Sequence, residues 1–354
     1  MQWKRRHCCS HIANFAFLLV LLALLNFLVP HTFHPSLTEL FQLKAEELTA
    51  NNSAVENNTI SHEKLNISTV GPTENVPGLF PYIINEPDKC QKSQAAPFLV
   101  FIIATRASDV EARCVIRQTW ANESLVPAVG VIRLFLLGKG SGDVGTHQDR
   151  KLQEESRKHH DIIQQDFLDS YNNLTLKTLM GLHWVARYCP HAGYVMKTDT
   201  DMFVNTDYLI HKLLRPELKP RTNYYTGKII ENSSPNRYKN NKWYMSREEY
   251  PNPKYPTFCS GTGYVLSADL ADKIYRLSLR IPQLHLEDVH VAVCLNQLGV
   301  KPTHPPRGSL FNHWYVPFTA CKYANLITSH QIPPNKILEY WKTHQNNKKI
   351  CKIF

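Results

Sequence analysis

Residues 97–105, Pro-Phe-Leu-Val-Phe-Ile-Ile-Ala-Thr, run without a charge. A half-solvated strand would alternate apolar and polar residues. An unbroken apolar run needs cover on both faces, as inside a parallel sheet. It is followed by Asp109–Trp120, with apolar residues at helical spacing and basic ones opposite, and by a second buried run, Val131–Leu137, closed by Gly138. Strand, helix and strand at this spacing form a crossover unit, which predicts a parallel sheet that binds ligands at its carboxyl edge. The alternation continues with a charged helix over Asp149–His160 and a short strand or turn over Asp161–Phe167. An amphipathic helix over Asn172–Tyr188 then carries Leu176, Leu179, Met180, Leu182 and Val185 on one face and stops at Pro190. The expectation is an α/β fold of Rossmann-like type.

That pattern delivers Tyr194–Lys197 as the next strand and sets Asp199 and Asp201 at its carboxyl end, between apolar flanks. Carboxylates beside buried strand ends need a compensating cation. On extended backbone, residues i and i+2 share a side, so both acids could converge on one oxygen-seeking ion such as Mg or Mn. An Asx turn at a strand end is the competing reading.

Downstream, a helix is expected over Asp207–Leu214, then a loop-rich stretch with Tyr224, Tyr225, Trp243, Tyr244 and Tyr250, whose aromatic faces suit sugar rings or a core. Gly261 and Gly263 stand close together before a short apolar run and a helix from Ala268, where a bare backbone can approach a ligand. Glu287 and Asp288 open an amphipathic helix. The helix dipole favours acids there but does not require both. The tail places His313 and His330 after strand-like runs and ends in a helix over Asn335–His344.

The 354-residue chain is more than one core needs. Lys4, Arg5 and Arg6 precede an apolar segment over Ile12–Val29, about 27 Å long as a helix and close to the hydrocarbon thickness of a bilayer. No small-x-small cleavage pattern follows, so an uncleaved signal anchor with a cytosolic basic end is expected rather than a cleaved signal peptide. This gives a cytoplasmic tail over 1–11, a transmembrane anchor over 12–29, a polar lumenal stem over 30–92 and a single catalytic domain over 93–354. Sequons at Asn51, Asn57, Asn66, Asn122, Asn173 and Asn232 agree with a lumenal domain. Cys8 and Cys9 flank the anchor. Seven widely spaced cysteines lie beyond it, without a CxxC, and suggest disulfides with one thiol left over rather than a zinc site. The net charge of +10 comes from scattered basic residues, so no nucleic-acid partner is expected.

Several ordered motifs then carry a resemblance. They are Asn85-Glu86-Pro87-Asp88-Lys89-Cys90, Arg113 with Ile116-Arg117-Gln118-Thr119-Trp120, Phe135-Leu136-Leu137-Gly138, and Asp169-Ser170-Tyr171 with Asn173–Thr178. Lys197-Thr198-Asp199-Thr200-Asp201, Phe258–Tyr264 and His285–Val289 complete the set. Together they resemble the beta-1,3-glycosyltransferases of glycosyltransferase family 31, over roughly residues 81–351, and its galactosyltransferase branch more than its N-acetylglucosaminyltransferases.

The resemblance implies a GT-A fold and inverting transfer of galactose from UDP-galactose to the 3-hydroxyl of GlcNAc-terminated glycans on glycoproteins or glycolipids, with Mn2+, by a type II Golgi membrane protein. It implies metal binding by Asp201, by Asp199 (or ribose binding by Asp199), and by His330, with His313 as the alternative. Asp288 is implied as base with Glu287 beside it, raising its pKa. Arg113, Arg117, Lys177 and Lys197 are implied as nucleotide or phosphate contacts, with salt bridges as the competing role. Cys114, where relatives usually carry another residue, is expected to be the unpaired thiol. A homodimer is compatible with all of this. Asp-Thr-Asp also resembles the nucleophile motif of haloacid-dehalogenase-type phosphatases, but that motif follows a wholly apolar strand near the domain start. A lumenal lectin or folding partner on the same fold would not need Asp199, Asp201 and Asp288 intact.

Overall fold

The computed structural model describes residues 80–91, 96–126, 129–140, 146–347 and 350–351, all within one unit, Gly78–Phe354. The expected tail, anchor and most of the stem lie outside the described residues. Among those described, no helix is long and apolar enough to cross a membrane.

The chain makes a mixed α/β fold around a seven-stranded sheet in the order β1-β4-β3-β2-β5-β8-β7. Its strands are β1 (Tyr82–Ile84), β2 (Leu99–Ala104), β3 (Val131–Lys139), β4 (Ile162–Leu168), β5 (Tyr194–Asp199), β7 (Tyr225–Ile230) and β8 (Phe258–Ser267). The central four, β4, β3, β2 and β5, are parallel, while β1, β8 and β7 join antiparallel. β2 is the axis of this arrangement, with Leu99 to Ile103 wholly excluded from solvent, as its unbroken apolar sequence requires. The chain leaves β2 towards β3 and β4 on one side and returns to β5 on the other. The order therefore reverses between β2 and β5, where Ala104 pairs with Asp199. A crevice opens at such a reversal because the connections leave in opposite directions.

Helices α1 (Val110–Gln118), α2 (His147–His159) and α3 (Leu174–Tyr188) connect these strands. Gly181 lets α3 settle on the sheet, since a Cβ there would lie 2.6 Å from Leu136 Cδ1. α4 (Asp269–Ser278), α5 (Glu287–Gln297) and α6 (Pro334–Asn347) follow. A two-stranded ladder pairs β6 (Phe203–Val204) with β9 (Thr328–Ser329).

Three expectations are corrected. Tyr82–Ile84, read as stem, pairs with β4, and Cys90 beyond it is bonded to Cys189, so ordered structure begins before residue 93. The helix expected over Asp207–Leu214 is one α-turn followed by a π-helical segment over Leu209–Leu214, closed by Arg215 N–H on Ile210 O. The paired glycines lie inside β8, ahead of its apolar end and of the helix that starts after Ala268, as expected. The disulfides are Cys90–Cys189 and Cys321–Cys351, and Cys259 and Cys294 remain as buried thiols, so the single left-over thiol does not hold. Cys114 accepts a hydrogen bond from the Gln118 amide at 3.1 Å.

Candidate active site

A cavity of about 710 Å³ opens over the carboxyl end of β5, with Lys197, Asp199, Gly261, Glu287, Asp288 and His330 in its wall. Three elements supply the charged groups. β5 brings Lys197 and Asp199, the start of α5 brings Glu287 and Asp288, and the segment after β9 brings His330.

Lys197 holds the first two together. Its buried Nζ donates to Asp199 Oδ1 at 3.0 Å and to the Gly261 carbonyl, and it lies 3.2 Å from Glu287 Oε2. Burial opposes its charge, but Asp199 and Glu287 outweigh burial and hold the ammonium above its ordinary range. Glu287 also accepts from the Tyr264 hydroxyl. Burial, with Asp288 adding to it, pushes Glu287 up to about 6, against the pull of Lys197 and Tyr264.

Asp288 takes a different posture. Its Oδ2 accepts from Gly261 N–H and its Oδ1 from Val289 N–H, each at 2.9 Å. Burial raises its pKa and these backbone donors restrain the rise. Burial, not the expected push from Glu287, leads this rise, and the Glu287 carboxylate turns towards Lys197 and Tyr264. Gly261 makes the close approach possible, since a Cβ there would sit 3.0 Å from Glu287 Oε2 and 3.3 Å from Asp288 Oδ2.

Asp199 and Asp201 do not converge as an extended pair, because β5 ends at Asp199 and the chain turns at Thr200 and Asp201. Asp201 Oδ2 instead meets His330 Nε2 at 3.1 Å. The ladder of β6 and β9, with Phe203 opposite Ser329, and the Ile332 N–H on Asp201 O bring these distant residues together. His330 Nδ1 lies 3.0 Å from the His313 carbonyl, which makes Nδ1 the donor and leaves Nε2 facing Asp201. Burial opposes protonation of His330, but Asp201 outweighs it and raises the pKa. His313 gives its backbone, not its ring, which packs on Trp314 with centroids 4.7 Å apart.

No group of three or more metal-ligating side chains exists among the described residues. The donor chemistry nevertheless fits a divalent cation in part. A carboxylate faces an imidazole nitrogen whose ring is oriented by a carbonyl behind it, as in protein metal ligands with an outer hydrogen-bonded shell.

The other basic candidates stand elsewhere. Arg113 is fully buried, bidentate to Glu155 at 2.8 and 2.7 Å, and it also donates to the Thr105 hydroxyl and to the Arg106 and Ala107 carbonyls. Arg117 binds Asp161 through two bonds of 2.8 Å and pairs with Glu155. Lys177 Nζ donates to Thr105 O at 2.6 Å and Asp169 Oδ1 at 2.7 Å. None of the three lines the cavity. Tyr171, Trp243 and Trp314 do line it and are 42, 52 and 46% exposed. Tyr171 and Trp314 were not separable by sequence from ordinary motif and loop residues. A half-exposed aromatic is informative only once its place beside the acids is visible.

Two carboxylates held apart in character, one bound to a buried lysine and one to backbone donors at the edge of an α/β sheet, make a site that can take a proton from one group while holding charge beside another. Residues 111–306 match the family model described as Galactosyltransferase, and residues 31–100 match one described as Beta-1,3-galactosyltransferase 2 N-terminus. The chain belongs to the galactosyltransferase family and is a galactosyltransferase enzyme. It is 57% identical to mouse Beta-1,3-galactosyltransferase 2 over 76% of this chain and 63% of that protein. Against the human protein of the same name it is 44% identical over 98% of this chain and 95% of the relative. Mouse Beta-1,3-galactosyltransferase 1 is 48% identical over 77% of this chain and 81% of the relative. The solved galactosyltransferase LgtC, in complex with donor and acceptor sugar analogs, aligns with a TM-score of 0.36 at 10% identity, over 70% of this chain and 95% of that one.

Proposed function

We propose that this galactosyltransferase has a GT-A fold and moves galactose from UDP-galactose to the 3-hydroxyl of a terminal GlcNAc on glycoprotein or glycolipid glycans, with inversion, forming Gal-beta-1,3-GlcNAc. The observation that carries the reading is the meeting of Lys197, Asp199 and Asp288 in one cavity over the carboxyl end of β5, beside β8. Donor binding belongs to the Asp199–Asp201 end and acceptor activation to Asp288.

Asp288 takes the acceptor's 3-hydroxyl proton at its carboxylate. The acceptor oxygen forms the new bond to the sugar's anomeric carbon as the bond from that carbon to UDP breaks. A raised pKa makes Asp288 a better base than an ordinary aspartate, and the Gly261 and Val289 N–H groups fix its direction. Lys197 keeps Asp199 and Glu287 from repelling each other across the cavity floor. Asp201 and His330 would hold Mn2+, with Asp199 sharing it or binding the ribose. When bound, the ion supplies charge neutralisation for the departing diphosphate. Trp243, Trp314 and Tyr171 offer faces for sugar rings.

We place the catalytic unit in the Golgi lumen, anchored through residues 12–29 as a single-pass type II protein. The two disulfides support an oxidising compartment. Incubation of the protein with Mn2+, labelled UDP-sugars and GlcNAc-terminated acceptors tests the assignment. Galactose is expected to transfer, with chelator abolishing it and Asp288→Asn lowering kcat about 10²- to 10⁴-fold. Transfer of GlcNAc instead would overturn the branch, and full activity in Asp288→Asn would overturn the base.

A further inference from the structure

We infer that Lys177 and Asp169 form a buried positioning clamp that shapes the nucleotide side of the donor site without touching the donor. This rests on the donor reading above and concerns residues to which that reading gave no separate role.

Lys177 projects from α3 with 3% of its side chain exposed. Its ammonium donates to Thr105 O, just past the end of β2, and to Asp169 Oδ1, just past the end of β4. The other Asp169 oxygen accepts from Gly138 N–H in β3 at 3.1 Å, and Asp169 N–H donates to Lys139 O at 2.8 Å. One ammonium and one carboxylate thus tie together the carboxyl ends of three adjacent strands. Beside them lies a second cavity of about 510 Å³, lined in part by Arg106, Ser108, Gly138, Lys139 and Asp169. Lys177 lines neither this cavity nor the first.

Arg113 grips the same loop through other atoms, the Thr105 hydroxyl and the carbonyls of Arg106 and Ala107. The Thr105–Ala107 turn is therefore held by two buried cations. A buried ion pair is a costly way to join strands, since an apolar pair of similar volume is often neutral or more stabilising. Packing alone would not need a charge here. What the charge adds is direction, because an ammonium that must satisfy a carbonyl and a carboxylate fixes both at once. The rim formed by Arg106 and Ser108 then has a set distance from the rim formed by Gly138 and Asp169. That distance is what a nucleoside portion at the carboxyl edge would read.

The test uses the full-length chain in detergent with Mn2+, and UDP itself as the probe in calorimetry, alongside initial-rate kinetics and thermal unfolding. Lys177→Met is expected to weaken UDP binding at least tenfold and to raise the donor KM by a similar factor. The acceptor KM should stay within twofold and kcat at saturating donor within about threefold. The double variant Lys177→Met with Asp169→Leu should regain thermal stability without regaining UDP affinity. Asp169→Asn, which keeps the lysine but breaks one half of the clamp, is expected to weaken UDP at least threefold and serves if Lys177→Met does not fold. Unchanged UDP affinity in a folded variant, recovery of affinity together with stability in the double variant, or an equal rise in acceptor KM would each overturn the clamp. Wild-type protein that binds UDP but transfers no galactose would remove the sugar assignment and leave the clamp standing. Failure of the wild type to bind UDP would remove both.

Discussion

Replacing Lys197 by methionine is the sharpest probe of the site's electrostatics. The substitution keeps the volume of the stem but removes a buried ammonium 3.2 Å from Glu287 Oε2 and 3.0 Å from Asp199 Oδ1. At an effective dielectric of about 20, one unit pair at that first distance is worth about 5 kcal/mol before desolvation is subtracted. Removing one partner of a buried pair costs about 3–5 kcal/mol, because the remaining charge stays buried. At roughly 2–4 °C per kcal/mol for a domain of this size, the midpoint of thermal unfolding should fall by about 10 °C. Glu287, already raised to about 6, loses the cation that restrains it and moves further up, so it becomes neutral near pH 7.

The pH dependence gives the decisive readout. In the wild type Glu287 is mostly protonated by pH 5, and its attraction to Lys197 is then gone. The deficit of Lys197→Met, measured by urea unfolding, should therefore be largest near pH 7 and smaller at pH 5. Equal unfolding midpoints for the two proteins at pH 7, or a deficit that does not change with pH, would refute the view that Lys197 stabilises the site by pairing with Glu287.

Two further outcomes follow from the structure. Replacing both Cys90 and Cys189 by serine opens a link between residues 99 apart in sequence, and should cost about 2–5 kcal/mol in urea unfolding, with ordered structure around β1 lost first under limited proteolysis. His290 is fully buried, within 2.7 Å of the Ser278 hydroxyl and 3.3 Å of Leu284 N–H, and burial lowers its pKa to about 4. Below pH 6.5 the unfolded chain takes up the proton that folded His290 refuses, so this contribution is intact above pH 6.5 and is lost as pH falls towards 4. The loss amounts to about 3 kcal/mol. His290→Gln should remove that component, and wild type and variant showing the same pH slope between 7 and 4.5 would contradict it.

The apolar strands and the helices between them were readable because burial leaves a periodic trace, and β2, β3 and α3 fall close to their expected ranges. Lys197, Asp199 and Asp288 were likewise visible, since charges beside apolar runs stand out, and the structure brings them into one cavity. Arg113, Arg117 and Lys177 were visible as candidates but not in their placement. Their partners Glu155, Asp161 and Asp169 come from other elements, and spacing along the chain does not encode which acid a buried base will meet. Tyr82–Ile84 escaped for a related reason, because a three-residue edge strand is too short to show alternation.

The sequence by itself determined the α/β class, the delivery of two aspartates to a strand end, and the acidic start of α5. These follow from local periodicity and from the cost of burying charge. Only the tertiary structure decided how those acids divide their work. A turn after Asp199 takes Asp201 out of the strand, the β6–β9 ladder hands Asp201 to His330, and Lys197 commits Asp199 and Glu287 to each other. Asp288 is left on its backbone donors beside Gly261. The physical reason is that electrostatic partnership depends on distance in space and on burial, and both arise only when residues far apart in the chain pack together.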